Sequence, residues 1–349
     1  MTASRRRRTA LIVALLAATA VFLTPSGVPG WGPSTASAAP GDTPGTDDEG
    51  GTAGLRKVLE AANKGFVAAK TKLDNSKRRQ VQLTGELKGL EQRHAQLLVD
   101  VGHVAALAYR NGRMTTASVL LESNSPDAFW QRATVADTLA RADGKQLRKL
   151  ADSREQVRRA KAAIELEIQE QTKQLAVMAK RKQDAERALA AAGGGRPVGG
   201  FVSANSPLAK PAPRNPDGSW PNESCRIDDP TTSGCITPRT LHSLNQARAA
   251  GFRRHTSCYR SGGGGEHPKG RACDYAAAPG GFENVNATGG DRTYGNNLAA
   301  FFVKNAGRLG VLYVIWYGQI WQPSTGWRSY SGCCSPAATH KNHVHLSMQ

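Results

Sequence analysis

Twelve residues between Phe66 and Val104 fall at alternating intervals of three and four: Phe66, Ala69, Leu73, Ser76, Gln80, Leu83, Leu87, Leu90, His94, Leu97, Val101 and Val104. A seam of that period, kept over more than five heptads, is what a long helix needs when it packs lengthwise against another helix. Ser76, Gln80 and His94 are polar, which weakens the seam and can fix its register. Residues 55–192 lack cysteine and are rich in Ala, Leu, Lys, Arg, Gln and Glu, all good helix formers. The seam breaks at Asn111-Gly112-Arg113, and a short apolar block, Val119-Leu120-Leu121, follows. Ser123-Asn124-Ser125-Pro126-Asp127 then marks a helix start, with Ser125 or Asn124 as the cap and Pro126 in the first turn. Leu139, Leu147, Leu150, Val157, Ile164, Ile168, Leu175 and Met178 make the apolar stripe expected of this second helix. Residues 55–192 therefore predict an α-helical antiparallel coiled-coil hairpin. His94 and His103 lie in or beside the seam and read as packed or solvated histidines rather than ligands.

The sequence before the hairpin has the order of an export signal. Arg5–Arg8 are followed by the apolar run Ala10–Leu23 and then by Ala36-Ser37-Ala38. Residues 1–38 thus predict a cleaved secretory signal peptide, since the run is shorter than the roughly 20 residues of a membrane span. Residues 39–54 are Gly-, Thr- and Asp-rich and are expected to be disordered. All six cysteines lie between Cys225 and Cys334, and an even count confined to one part of an exported chain reads as disulfides. Cys225 with Cys235 is the first expected pair. Cys258 and Cys273 could pair across two strands, and connectivity involving Cys333 and Cys334 stays open. A cysteine-only zinc site ranks low, because no C-x-x-C occurs.

The formal net charge is +18, and loss of the four leader arginines would leave +14. Such a balance favours anionic partners. Nucleic acid is not expected for an exported chain without a binding module, whereas anionic wall polymers or lipid surfaces are. Residues 193–216, with Gly193-Gly194-Gly195, Gly199-Gly200 and several prolines, read as a linker. That leaves residues 217–349, long enough for one compact core.

Chemistry concentrates in this last part. Pro238–Ala250 has the pattern of an amphipathic helix, with Leu241, Leu244 and Ala247 on one face, and Thr256–Arg260 that of a strand. A second helix is expected over Asn296–Gly307 and an apolar strand over Val311–Tyr317, continued at Gln319–Trp321 after Gly318. Four of the eight histidines fall in two short motifs, His267-Pro-Lys-Gly-Arg-Ala-Cys-Asp274 and His340-Lys-Asn-His343-Val-His345. Catalytic zinc takes three ligands from His and carboxylates and keeps one position for water. His343 and His345, two apart on a strand, face the same way, with Val344 and Leu346 on the core side. A turn at Gly270 would return the chain so that Asp274 meets His267. The expected metal set is His267, Asp274 and a histidine of the final strand.

Tyr259-Arg260-Ser261, His267-x-x-Gly270-x-Ala272-x-Asp274 and His343-x-His345 resemble the D-alanyl-D-alanine carboxypeptidase family and its lysostaphin/hedgehog-type clan, over about 133 residues. His340-x-x-His343-x-His345 looks most like the penicillin-insensitive murein endopeptidases of that clan. The resemblance implies an α+β domain, a small antiparallel sheet with helices, and a zinc peptidase acting on peptidoglycan peptides. It implies Zn2+ on His267, Asp274 and His345, His343 as general base or transition-state stabiliser, His340 supporting it, and Arg260 holding a substrate carboxylate or oxyanion. Zinc would lower the pKa of its water to about 7. Two departures stand out. Gly265 occupies the place of a serine of the carboxypeptidases. Counted by their spacing, His343 would be the ligand and His340 would stand at their glutamate base, and no Glu lies near this strand. A peptidoglycan-binding or hydrolase-recruiting protein without turnover is the alternative. Leu107-Ala-Tyr-Arg-Asn-Gly112, Val119–Ser123 and Asp127-Ala-Phe-Trp130 resemble the coiled coil of secreted division hydrolases controlled by the FtsE–FtsX membrane complex, which implies a membrane division complex as partner.

Overall fold

Ser125 takes the extended backbone of a helix cap, and its Oγ accepts from the backbone N–H of Ala128 at 3.2 Å. That side chain satisfies a donor that the first turn leaves open, Pro126 needs no donor there, and Asp127 complements the helix dipole. The computed structural model describes residues 53–349 apart from 112–117, 119, 120, 123, 124, 204, 263 and 333. The expected leader, most of the expected disordered stretch, Gly112-Arg113, Val119-Leu120, Asn124 and Cys333 lie outside the described residues.

Two long helices come first, α1 (Ala53–Asn111) and α2 (Pro126–Ala191). Contacts between them run Gln80 to Gln171, Glu91 to Lys161 and His94 to Ser153. The first number rises as the second falls, so the helices run in opposite directions. On α1 the seam positions from Phe66 to Val104 are the covered ones, while Val81, Leu98 and Val99 are exposed. On α2 the expected stripe holds at Leu150, Val157, Ile164 and Met178 and is displaced elsewhere. Leu139, Leu147, Ile168 and Leu175 are exposed, and the covered positions are Ser153, Val157, Ala160, Ile164, Glu167, Gln171, Gln174, Met178, Arg181 and Ala185. That series still alternates by three and four. An apolar pattern does not reveal it because five of its members are polar, several of them bonded across the pair: Gln171 Nε2 to Gln80 Oε1 at 2.8 Å, His94 Nδ1 to Ser153 Oγ at 3.2 Å.

The Gly/Pro-rich stretch 193–216, expected as a linker, is bound along the C-terminal part. Gly195 N–H donates to Ser329 O at 2.9 Å, Ala212 N–H to Arg308 O at 2.8 Å and Ala209 N–H to the buried Asn305 Oδ1 at 2.9 Å. These bonds satisfy backbone groups that would otherwise be solvated.

The C-terminal part is α+β. A two-stranded ladder, β1 (Ile227–Asp228) with β2 (Cys235–Ile236), precedes α3 (Pro238–Ala249). The main sheet has β3 (Thr256–Ser257), β4 (Ala272–Ala276), β5 (Val311–Trp316), β6 (Gln319–Gln322), β7 (Gly326–Ser329) and β8 (His343–Met348) in the order β3-β4-β8-β5-β6-β7, every pair antiparallel. α4 (Gly289–Lys304) and α5 (Ala306–Leu309) lie between β4 and β5. One face carries Cys273, Tyr275, Val314, Trp316, Val344 and Leu346 into a core with Leu244 and Ala247 of α3 and Leu298, Phe301 and Phe302 of α4. The other face, in register, carries Asp274 opposite His345, His345 opposite Ile315, and Ile315 opposite Ile320.

That second face is where the long helices attach. Leu59 and Ala62 of α1 and Ala185 and Leu189 of α2 form one apolar cluster with Leu312, Tyr313, Ile315, Ile320 and Tyr330. The polar contacts beside it are specific. Glu60 of α1 reaches Arg271 at 2.7 Å and Lys269 at 3.1 Å, Asn63 Oδ1 accepts from Ser324 Oγ at 2.5 Å, and Glu186 of α2 meets Arg328 at 2.7 Å. Disulfides join Cys225 to Cys235 and Cys258 to Cys273, the two pairs expected from the sequence. Such bonds persist in oxidising compartments. No described helix is long and apolar enough to cross a membrane.

Candidate metal centre

Three elements bring the cluster together. A single 3-10 turn, His267–Lys269, supplies His267 and ends at Gly270 in the left-handed region (φ 66°). The chain then enters β4, where Asp274 pairs with His345 of β8. The left-handed turn is the reversal that returns Asp274 to His267, and a Cβ on Gly270 would fall 2.4 Å from Cys225 Sγ and 2.7 Å from Cys235 O. Only glycine fits both conditions.

His267 Nε2, Asp274 and His345 Nδ1 are mutual neighbours. His267 Nε2 lies 3.2 Å from Asp274 Oδ2 and 3.3 Å from His345 Nδ1, and His345 Nδ1 lies 2.8 Å from Asp274 Oδ1. Ligands about 2.0–2.1 Å from a tetrahedral ion stand roughly 3.3 Å apart, so two of the three spacings already suit one ion. The outer partners fit as well. His267 Nδ1 is hydrogen-bonded to the backbone carbonyl of Cys258, which can only accept, so Nδ1 carries the proton and Nε2 the lone pair. His345 Nε2 is 2.8 Å from Ser347 Oγ, a partner that leaves Nδ1 for the metal. All three residues are at least 97% buried. The Asp274 carboxyl is held well below the usual carboxylate range. Burial pushes it up, but the charges of His267 and His343 and the hydrogen bonds from His267 and His345 outweigh that. His267 shifts upward: burial lowers it, and the Asp274 charge and hydrogen bond more than offset that.

The other expected site residues are close by. His343 Nε2 is 3.6 Å from Asp274 Oδ1, and its Nδ1 is 2.7 Å from Asn342 Oδ1. His340 is fully buried with a left-handed backbone (φ 51°), and its ring centroid is 4.8 Å from that of His343 and 5.6 Å from that of His345. A non-glycine residue held in that region points to a functional constraint. Both its ring nitrogens are buried without a hydrogen-bond partner among the described residues, an arrangement that calls for a polar occupant of the cluster. Burial, then the His343 and His345 charges, push its pKa well down, so it is neutral at pH 7. Arg260 was expected to hold substrate. Its Nη1 instead donates to Asp274 Oδ2 at 2.7 Å, with about a third of the side chain exposed.

Sequence reasoning missed four members of the neighbourhood. Tyr313 stacks on His345 (centroids 5.6 Å, planes 15° apart). Ser347 bonds His345, Asn342 bonds His343, and Glu266 lies beside His267 and pairs with Arg271 at 2.5 Å and Lys269 at 2.9 Å. Ser347, Asn342 and Glu266 carried one signal, each being close in sequence to a histidine of the motifs.

The chain is similar to the family described as VldE, C-terminal domain, over residues 232–341. The matched stretch includes Arg260, His267, Asp274 and His340 and stops before His343 and His345. No curated protein and no solved structure matches the chain.

Proposed function

We propose that the chain is an exported zinc-dependent peptidase that hydrolyses an amide bond in peptidoglycan peptides, with the helical pair acting as a coiled-coil hairpin over its metal face. One observation carries the reading: two imidazole nitrogens and a carboxylate, each with its outer hydrogen bond in place, meet at spacings of 2.8–3.3 Å. Two histidines and an aspartate at near-tetrahedral spacing suit zinc among the common divalent ions. Zinc held there would act as a Lewis acid and supply a nucleophilic water at neutral pH.

The chain's own groups have separable tasks. His343 presents Nε2 toward the cluster, where it can accept a proton from an attacking water and return it to the leaving amine. Arg260 is exposed enough to swing from Asp274 to a substrate carboxylate or oxyanion, for which its planar fork is suited. His340, kept neutral, adds no positive charge beside the metal. Export accords with the two disulfides and with the leader-like N-terminus.

The test is zinc stoichiometry of the chain beginning at residue 39, with mass spectrometry of muropeptides after digestion of purified peptidoglycan. One zinc per chain and new peptide termini are expected, and His345→Ala should lose both. A second reading, a metal-holding domain that binds wall peptides without turnover, is favoured by Glu266, the carboxylate next to His267, being committed to Arg271 and Lys269. Zinc binding without new termini, even after the helices are released, would select it.

A further inference from the structure

The final strand is preceded by a buried amide, Asn342, 6% exposed. Its Nδ2 donates to the backbone carbonyl of Glu283 at 2.7 Å, and its Oδ1 lies 2.7 Å from His343 Nδ1. These two bonds fix an order of protons. A carbonyl oxygen only accepts, so the amide nitrogen must face Glu283 and the amide oxygen must face His343. The amide oxygen also only accepts, so His343 Nδ1 must carry the ring proton. In a neutral ring the lone pair is then on Nε2, the atom 3.6 Å from Asp274 Oδ1 on the side of the metal cluster. The opposite tautomer would aim an N–H at that cluster, where the Asp274 carboxylate could accept it but where it could not take a proton and would oppose a cation held there.

The Glu283 carbonyl is itself held in place. The loop between β4 and α4 is tied to the segment before β8 by Ala277 N–H to Asn342 O at 2.9 Å and Ala287 N–H to Lys341 O at 2.7 Å. The same loop sets the ring of Phe282 edge-on to His343 (centroids 5.9 Å, planes 89° apart) and edge-on to His255 at 5.1 Å. One loop thus supplies both the carbonyl that orients the amide and the aromatic ring that limits tilting of the imidazole.

We propose that Asn342, oriented by the Glu283 carbonyl, is a positioning residue that locks His343 in the Nδ1–H tautomer and so keeps the Nε2 lone pair toward the metal cluster. The kinetic part of this inference rests on the peptidase reading above; the tautomer itself does not.

The experiment uses the chain beginning at residue 39 labelled with 15N-histidine, zinc-free and zinc-loaded. Long-range proton–nitrogen NMR spectra identify the protonated ring nitrogen of His343, assigned by its disappearance in His343→Gln. The wild type should show the Nδ1–H form. Asn342→Leu should convert it largely to Nε2–H, and Asn342→Asp, which keeps the acceptor, should restore Nδ1–H. On peptidoglycan peptides Asn342→Leu should lose about 10- to 100-fold in kcat with KM within about twofold, as expected when a group acting in the transition state is misaligned. Asn342→Asp should recover most of that loss. If Asn342→Leu does not fold, the wild type and Asn342→Asp spectra decide. An Nε2–H form in the wild type overturns the proposal, as does an Asn342→Leu variant with unchanged tautomer and unchanged kcat. If the wild type shows no hydrolysis, the peptidase reading fails while the tautomer result still judges Asn342.

Discussion

Gly270 shows how much of the candidate metal centre hangs on one backbone angle. Its positive φ ends the turn that bears His267, its carbonyl accepts from Thr237 N–H at 2.9 Å, and a Cβ there would run into Cys225 Sγ and the backbone of Cys235. Gly270→Ala therefore meets both left-handed strain and a clash with parts that cannot yield, at a cost of about 1–3 kcal/mol. The expected result is a lower melting temperature and weaker zinc uptake, read by calorimetry and by competition with a chelator. Unchanged zinc affinity would show that the turn is not what positions His267. The grouping of His267, Asp274 and His345 into one buried cluster was legible because metal chemistry restricts residue type, and two histidines two apart on a strand share a face. Closeness to a histidine did not by itself single out Asn342 and Ser347, since a side chain that orients a histidine can be any of several polar residues at any spacing. The placement of Arg260 beside the cluster was legible, but its bond to Asp274 was not. Whether a guanidinium meets substrate or the ligand Asp274 depends on which strand lies opposite, and the sequence does not say.

At the scale of elements the same division holds. α1 could be read because its seam is mostly apolar, and α2 was read one position off wherever an apolar residue stood beside a polar seam residue. Leu147 next to Gln146, Ile168 next to Glu167 and Leu175 next to Gln174 are such cases. The register predicts that Leu175→Ser, on the exposed face, changes stability by no more than about 0.5 kcal/mol. Val157→Ala, in the covered series, should cost about 1–2 kcal/mol, less than a full core truncation because the site is only partly buried. Thermal melts of the two variants check it, and a larger loss for Leu175→Ser would reverse the assigned face. The attachment of α1 to the turn carrying His267 has its own pH signature. Burial pushes Glu60 up, but hydrogen bonds from Lys64 and Arg271 and their charges bring it down from 4.5 to about 2. A carboxylate depressed by folding stabilises the folded contact above its unfolded pKa and loses that contribution as pH falls through the folded value. The Glu60 contact should thus be intact at neutral pH and weaken between about pH 4.5 and 2, with Glu266, raised by burial, pulling the other way. Faster amide exchange over Leu55–Asn63 in this interval, with a flatter dependence in Glu60→Gln, is the expected readout.

At the scale of the whole molecule, the long helices pack on the sheet face that carries Asp274 and His345, two of the three candidate metal ligands. Leu59 and Leu189 press on Tyr313 and Ile315, Tyr313 stacks on His345, and Ile315 lies opposite His345 across the ladder. Phe282, edge-on to His343, is 41% exposed, and Arg260, bonded to Asp274, is about a third exposed, so these two are solvent-facing neighbours of the buried cluster. On the proposed peptidase reading, a short peptide would approach beside these two residues. On the same reading, a crosslinked wall polymer would extend past the cluster and meet α1 and α2, which pack on the same sheet face. Release of the helices should therefore matter more for the polymer than for a small substrate. Leu59→Asp combined with Glu60→Lys places one charge in the apolar cluster and reverses another beside Arg271 and Lys269. Each change is unfavourable to docking, the first by several kcal/mol on the scale of unpaired buried charges. The double variant should digest intact peptidoglycan at least tenfold faster than the wild type while its rate on a soluble muropeptide rises no more than about twofold, an allowance set by the ~1.4 kcal/mol per decade of rate. Equal acceleration on both substrates would mean that the helices close the metal centre itself. No acceleration on either, with α1 shown by amide exchange to be detached, would mean that they do not gate it.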